Sequence, residues 1–560
     1  MIPPAFPQRL IATLAVCALA TAALAQDFRP ESYAQQVGFL ASPALRGRAS
    51  GEEGNVRAAH FIADAFRKSG LIPLGSDRQK DPRVRMDGRG YYQPFAFPYG
   101  IAQGTRTVLE ATIGERRTRY RAGVEFEPYP LSAAARASGT VTFDEAQARG
   151  KILAIAVGAD LRGIDLAGRI ARARDAGALA LLIAQPKTAG NVADDLDPAS
   201  ADAGLPVLLV RPDLLDAWRA APTPPQVTVA ADIRRESRVT ANIAGLLEGT
   251  DPILKREMIV VGAHMDHLGM GGVHSLADGR TPAIHPGADD NASGTVGVLE
   301  LAAYFARPEN RPRRSLLFVC FSGEERGLLG SAYYIKHPLR PLADTIAMLN
   351  MDMIGRMRAG RVSVIGVGTS PAWGPLLDRL APRSGLDVTR DDGGFGGSDH
   401  QSFAAQKIPV LFYFTGLHSD YHRPTDTPDK IDAVGATKIL ALVARTASAI
   451  AALPERPAYQ EVAVAAPGRS RARASLGTIP EYGAGVVGVL LGGVRPGSPA
   501  DQAGLKAGDI LIGLGGKTIR NIEEYTAALG AFAPGETVEL IVKRGAETLT
   551  LKATLAESRR

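Results

Sequence analysis

Four short runs of consecutive apolar residues organise the middle of the chain: Met258 to Ala263, Leu316 to Phe321, Ile346 to Met351 and Pro409 to Phe414. None alternates with polar positions, which predicts strands buried on both faces. Helical patterns lie between them, as in the apolar stretch that begins near Thr295, with Ser293 as its expected cap. Strands alternating with helices predict an α/β domain, with a mostly parallel mixed sheet covered by helices on both faces. In such sheets the ligand site lies in the crevice beyond the carboxyl ends of the strands.

Each run gives way to residues that are polar and chemically specific. The first ends at His264-Met265-Asp266-His267, the second at Ser322-Gly323-Glu324-Glu325, the third at Asp352, and the fourth leads through Thr415-Gly416 to Tyr421-His422. The loop Pro286 to Gly294 contributes Asp289. Gathered at one sheet edge, His264, Asp289, Glu325, Asp352 and His422 would repel or idle unless a cation joined them, and zinc accepts this mixture of nitrogen and oxygen donors. Two metals ~3.5–4 Å apart activate a water and polarise a carbonyl when a nearby unliganded carboxylate shuttles the proton. Adjacent Glu324 and Glu325 divide those jobs naturally. Taken singly, each motif has a plainer reading: a Glu-Glu pair as a solvated helix start, Asp289-Asp290-Asn291 as a turn with a helix cap, His264-x-Asp266-His267 as surface. Their combination favours a di-metal site, with His267, His274, His285, His400 and His418 expected to be ordinary residues near it.

The residues His264-x-Asp266, Gly287 to Gly294, Glu324-Glu325-x-Gly327-Leu328-x-Gly330-Ser331, Asn350-x-Asp352-Met353-x-Gly355, Ser398-Asp399-His400-x-x-Phe403 and Tyr421-His422 occur in one order. That set resembles the co-catalytic di-zinc exopeptidases, among them bacterial leucyl aminopeptidases, aminopeptidase Y and glutamate carboxypeptidase. The resemblance implies the zinc exopeptidase fold and two Zn2+ ions, one held by His264 and Asp352, the other by Glu325 and His422, with Asp289 bridging. It implies Glu324 as general base, Tyr421 as a donor to the oxyanion, Asp266 as the carboxylate that orients the His264 ring, and a cis peptide between Asp289 and Asp290.

The remaining chain divides around this core. Residues 1–25 carry Arg9, an apolar stretch and Ala23-Leu24-Ala25, the pattern of a signal peptide cleaved after Ala25, shorter than the ~20 apolar residues of a spanning helix. Export to the periplasm or medium is the implied fate, with no membrane span left after cleavage. Cys320 then remains alone, so no intramolecular disulfide forms. The peptidase domain is expected over 26–99 and 236–453. Between them, 100–235 carries strand-like runs at Lys151 to Val157, Gly177 to Ala184 and Leu205 to Val210, and resembles the protease-associated domain. A stretch rich in Pro, Ala and Arg over 454–474 suggests a mobile linker. Beyond it, Gly488 to Ala500, Ala503 to Leu511 and Gly535 to Val538 resemble a bacterial PDZ domain, expected over 475–556, with a peptide ligand as its candidate partner. A net charge of +6 over 560 residues, without a dense basic patch, gives no case for a nucleic-acid partner.

These features point to an exported zinc aminopeptidase acting on peptide or protein substrates. Carboxypeptidase or glutaminyl cyclase chemistry on the same fold stays open, as does a catalytically silent binding protein.

Overall fold

The computed structural model describes residues 27–75, 90–156, 163–184, 203–272, 274–277, 281–393, 397–462, 474–480, 488–494, 497–519, 525, 528–529, 532–545 and 547–557. The leader read in residues 1–25 lies outside them. The chain forms two compact units, one of residues 1–95 and 239–560, the other of residues 96–238.

The larger unit is built on a nine-stranded mixed sheet. Its central strands are β1 (Met258–His264), β2 (Ser315–Phe321), β3 (Thr345–Met351) and β4 (Val410–Phe414), in spatial order β2-β1-β3-β4 and all parallel. Every residue of all four is buried. The two faces of the sheet divide the side chains by parity. Ile259, Val261 and Ala263 pack with Leu316, Phe318 and Cys320 under helices Glu53–Lys68, Gly294–Ala306 and Ala433–Ala451. Val260, Leu317, Val319 and Phe321 pack on the opposite face with Tyr334 and Phe403, from helices Leu329–Lys336 and His400–Ala404. The sheet is thus covered on both sides. Helix Ala433–Ala451 is long and apolar enough to cross a membrane, but 67% of it is buried, as befits a core helix.

Register places the functional loops. Gly262 pairs with Asn350, so two residues on, His264 and Asp352 leave the sheet side by side. His264 also pairs with Phe321, which starts the turn to Glu324 and Glu325 on the other flank.

The same unit contains a second sheet with its own core, in which Val489–Val494, Ile510–Leu514, Thr537–Arg544 and Glu547–Thr554 pair antiparallel in that order and bury Leu491, Leu511, Leu540 and Val542. In the smaller unit an eight-stranded sheet runs through the parallel strands Ile152–Ala156, Ala180–Ala184 and Val207–Val210.

The expected mobile linker is not free at its start. Arg456 donates to Glu257 at 2.6 Å and to the Ala343 carbonyl at 2.9 Å, and the Gln460 amide donates to the Thr369 carbonyl at 2.8 Å. A proline-rich composition does not prevent docking when backbone and guanidinium donors find acceptors along the sheet's rim. A chain ended at residue 454 is therefore expected to melt lower than one ended at 462, by the ~1 kcal/mol that a half-exposed ion pair contributes. Equal melting temperatures in calorimetry would show that residues 455–462 add nothing.

Candidate metal centre

The site forms where five chain segments meet: those that follow β1, β2, β3 and β4, and the acidic loop before helix Gly294–Ala306. His264 is 1% exposed, and its Nε2 lies 3.3 Å from Asp352 Oδ2, 3.4 Å from Asp290 Oδ1 and 3.8 Å from Glu324 Oε2. His422 Nε2 lies 3.1 Å from Glu325 Oε2 and 3.3 Å from Asp290 Oδ2. Both rings are oriented from behind, since His264 Nδ1 faces the Asp266 carbonyl at 3.2 Å and His422 Nδ1 faces the His274 carbonyl at 2.9 Å. Tyr421 stacks on His422 with ring centroids 3.8 Å apart.

The acidic loop is turned one residue from expectation. Asp290, not Asp289, stands between the two imidazoles, one carboxylate oxygen toward each. The cis peptide likewise joins Asp290 to Asn291. Asp290 is close to extended, at φ −102° and ψ 98°, and neighbouring side chains along extended backbone point to opposite sides. Asp289 consequently faces away: its Oδ1 accepts from the Gly355 amide at 2.7 Å and its Oδ2 lies 3.2 Å from His418 Nε2. Ser293 is not a cap either. Its hydroxyl donates to the Asp289 carbonyl at 2.6 Å, while Asn291 Oδ1 accepts from the Gly294 amide at 2.8 Å and so tethers the start of the helix.

Asp266 acts differently from the simple picture as well. Its carboxylate stands 3.8 Å from the His264 ring and instead accepts from Ser50 at 3.0 Å and from the Glu324 amide at 3.2 Å. It therefore ties the loop after β1 to the turn after β2, and steadies His264 through charge and through its own backbone carbonyl.

Three further residues complete the centre. His267, expected to be ordinary, turns its Nδ1 toward Glu325 Oε1 at 2.6 Å and Asp290 Oδ2 at 3.8 Å. Asp426, fully buried, accepts from the Asp289 and Asp290 amides at 3.0 and 3.1 Å and thereby sets the acidic loop. Arg48, also fully buried, donates to the carbonyls of Leu40 (2.6 Å), Met265 (3.0 Å), Pro286 (2.7 Å) and Gly287 (2.9 Å). It thus clamps the two loops that present His264 and Asp290. Preceding it, Gly47 has φ +70°, and a Cβ there would lie 2.4 Å from the His285 carbonyl oxygen, so glycine alone fits this approach. Of the other histidines, His400 stacks on Phe412 and burial pushes it down to about 3, which makes it a neutral packing residue. His285 is held by Ser275 at 2.7 Å.

The electrostatics reflect burial of like charges. Burial alone would lower His264 and His422, but Asp352, Glu324 and Asp290 around the first, and Glu325 and Asp290 around the second, hold both well above the ordinary imidazole range. Burial, reinforced by Glu325 and Asp352, lifts Glu324 well above the carboxylate range. For Glu325 the balance reverses: burial raises it, yet His422 and His267 hold it well below that range. The neighbouring glutamates are driven apart, one toward the protonated acid and one toward the anion. Arg48 is lowered to about 10 by burial, against the pull of Asp290 and Asp266.

Among the described residues, three compact donor groups could hold a metal ion: His264 with Glu324 and Glu325, His264 with Asp290 and Asp352, and His267 with Asp290 and Glu325. The buried Asp352 Oδ1 has no hydrogen-bond partner, as suits an atom awaiting a cation.

Residues 242–447 match the model of Peptidase family M28, and residues 492–544 match that of the PDZ domain. The chain therefore resembles family M28 peptidases over the first of these stretches and PDZ domains over the second. It is 28% identical to the probable leucine aminopeptidase of Arthroderma otae over 194 residues, 32% of this chain and 50% of that protein. It is 30% identical to an aminopeptidase of Pseudomonas aeruginosa over 189 residues, 32% of this chain and 31% of that protein. The chain thus spans half or less of the length of these relatives. The solved aminopeptidase from Aneurinibacillus sp. strain AM-1 superposes with a TM-score of 0.48 at 23% identity, covering 78% of this chain and 98% of that one.

Replacing Arg48 with Met would leave four carbonyls without their donor and the acidic cluster without its buried cation. A loss of about 3 kcal/mol or more is expected. Urea unfolding of the metal-free protein checks it, and a loss below about 1 kcal/mol would show that the clamp is dispensable.

Proposed function

We propose that the protein is a zinc-dependent aminopeptidase that removes amino-terminal residues from peptides, using two ions. The observation that carries this is the Asp290 carboxylate, which offers one oxygen beside His264 and the other beside His422. His264 and Asp352 would hold one ion, Glu325 and His422 the other, with Asp290 facing both. Zinc suits this set of imidazole and carboxylate donors. When bound, such a pair supplies Lewis acidity to a carbonyl and lowers the pKa of water. The leader read in residues 1–25 supports export, and the PDZ domain supports a second contact with an extended peptide.

The chain's own residues supply the rest. Glu324, 12% exposed and 3.8 Å from His264 Nε2, reaches the centre without a role in joining the positions. Its raised proton affinity suits a group that takes a proton from water and returns it to the leaving amine. Tyr421, stacked on His422, keeps its hydroxyl protonated because burial and the surrounding carboxylates lift it well above its ordinary range. It is thereby a constant donor for an oxyanion. Arg356, four residues past Asp352, already pairs with Asp420 at 3.2 Å, which argues against its serving as a substrate-carboxylate clamp.

Hydrolysis of amino-terminal anilides, set against peptides blocked at the amino terminus, tests the reading. Cleavage only from the carboxyl terminus would replace it with a carboxypeptidase. Glu324→Gln is expected to lower turnover by roughly 10²–10⁴-fold with zinc content unchanged; loss of an ion in that variant would make Glu324 a ligand.

Metal uptake should also depend on pH in one direction. His264 and His422 lie above the ordinary imidazole value, so near neutrality the metal-free centre holds protons that zinc must expel. Affinity is expected to rise with pH through and above ~6.5, with protons released on binding. Calorimetry in buffers of different ionisation enthalpy reads this, and zero proton release at pH 7 would contradict it.

A further inference from the structure

We infer that His267 is a sixth protein donor of the centre, ligating through Nδ1 the position shared by Glu325 and His422. This rests on the two-ion reading above and adds to it an asymmetry between the two positions.

The ring is placed for that task. Two donors each ~2.0–2.1 Å from one zinc stand roughly 3.3 Å apart. His267 Nδ1 lies 2.6 Å from Glu325 Oε1 and 3.8 Å from Asp290 Oδ2, distances that bracket this span. His422 Nε2 meets the other oxygen of Glu325 at 3.1 Å and the same Asp290 Oδ2 at 3.3 Å, and the two imidazole centroids are 5.8 Å apart. The ring is 2% exposed, and its Nε2 has no hydrogen-bond partner, so the polar hold on it is at Nδ1. Its seat is built by the acidic loop itself. Gly287 has φ +57°, and a Cβ at that position would lie 2.5 Å from His267 Cγ and Cδ2. Only a glycine there lets the ring lie against the loop that carries Asp290.

The consequence is an unequal pair. One position has His267, His422, Glu325 and one oxygen of Asp290, four protein donors, which is the complement of a closed zinc site. The other has His264, Asp352 and the second Asp290 oxygen, three donors, which leaves a place open. Glu324 approaches that open side, 3.8 Å from His264 Nε2. With ions bound, the position beside Glu324 would be the one with room for a water.

The test uses the full mature chain, stripped of metal and titrated with Zn2+ against a competing chelator. His267→Ala is expected to weaken one of two zinc steps by more than about 100-fold and to leave the other within about threefold. His267→Asn keeps an N–H near the Nδ1 position for Glu325 and is expected not to restore the lost affinity. Wild-type affinity for both ions in either variant would reduce His267 to a hydrogen-bonding neighbour and overturn the inference. Should neither variant fold, the Co2+-loaded wild type decides by proton NMR, with three strongly shifted exchangeable imidazole N–H signals expected and two refuting His267. A wild type that binds fewer than two ions sinks the two-ion reading and this inference together, whereas two ions with only two shifted imidazoles sinks the inference alone.

Discussion

Asp266, Asp290, Glu325 and Asp352 are buried beside one another, at 1%, 4%, 5% and 8% side-chain exposure. Taking such charges out of water costs several kcal/mol each unless they are paired, and much of the surrounding structure answers that constraint. Three imidazoles face the carboxylates, and Arg48 stands behind them, bound only to carbonyls of the ligand loops and of Leu40. A cation in the centre is the remaining compensation. Burial raises both Glu324 and Glu325, but His422 and His267 beside Glu325 hold it down, so adjacent identical residues differ in proton affinity.

Geometry is then a question of who holds the acidic loop. Asp426 gathers the Asp289 and Asp290 amides, Gly355 and His418 take the Asp289 carboxylate, and Ser293 takes its carbonyl. With Asp289 tied on every side, Asp290 has one orientation left, toward His264 and His422. Strand register supplies the rest by bringing His264 and Asp352 off the sheet together. Precision at the centre thus comes from rigid strands below and a saturated hydrogen-bond network behind the loop.

The strands were readable because burial on both faces leaves an uninterrupted apolar run, as in Met258 to Ala263, and the polar residue that ends each run marks the site. His264, Glu325, Asp352 and His422 could be placed this way. The choice between Asp289 and Asp290 could not, since it depends on backbone direction within a loop and both residues are carboxylates. His267 was hidden for a related reason: one residue past Asp266, its direction depends on how the chain leaves β1 and on the space opened by Gly287, twenty residues on. Arg48 and Asp426 carry no local pattern at all, because their partners are backbone groups 217 or more and 136 or more residues away, apart from the bond of Arg48 to Leu40. A counted spacing from Asn291, which tethers Gly294, would have been the one signal able to shift the loop by a residue.

The proposed function turns on Asp290, whose two carboxylate oxygens face His264 and His422, lying between two ions. Anomalous diffraction at the zinc edge from crystals of the loaded protein measures this directly. Two peaks ~3.5–4 Å apart, with the Asp290 carboxylate between them and Asp289 turned toward Gly355, is the predicted result. A single peak, or two peaks joined by Asp289, would contradict it.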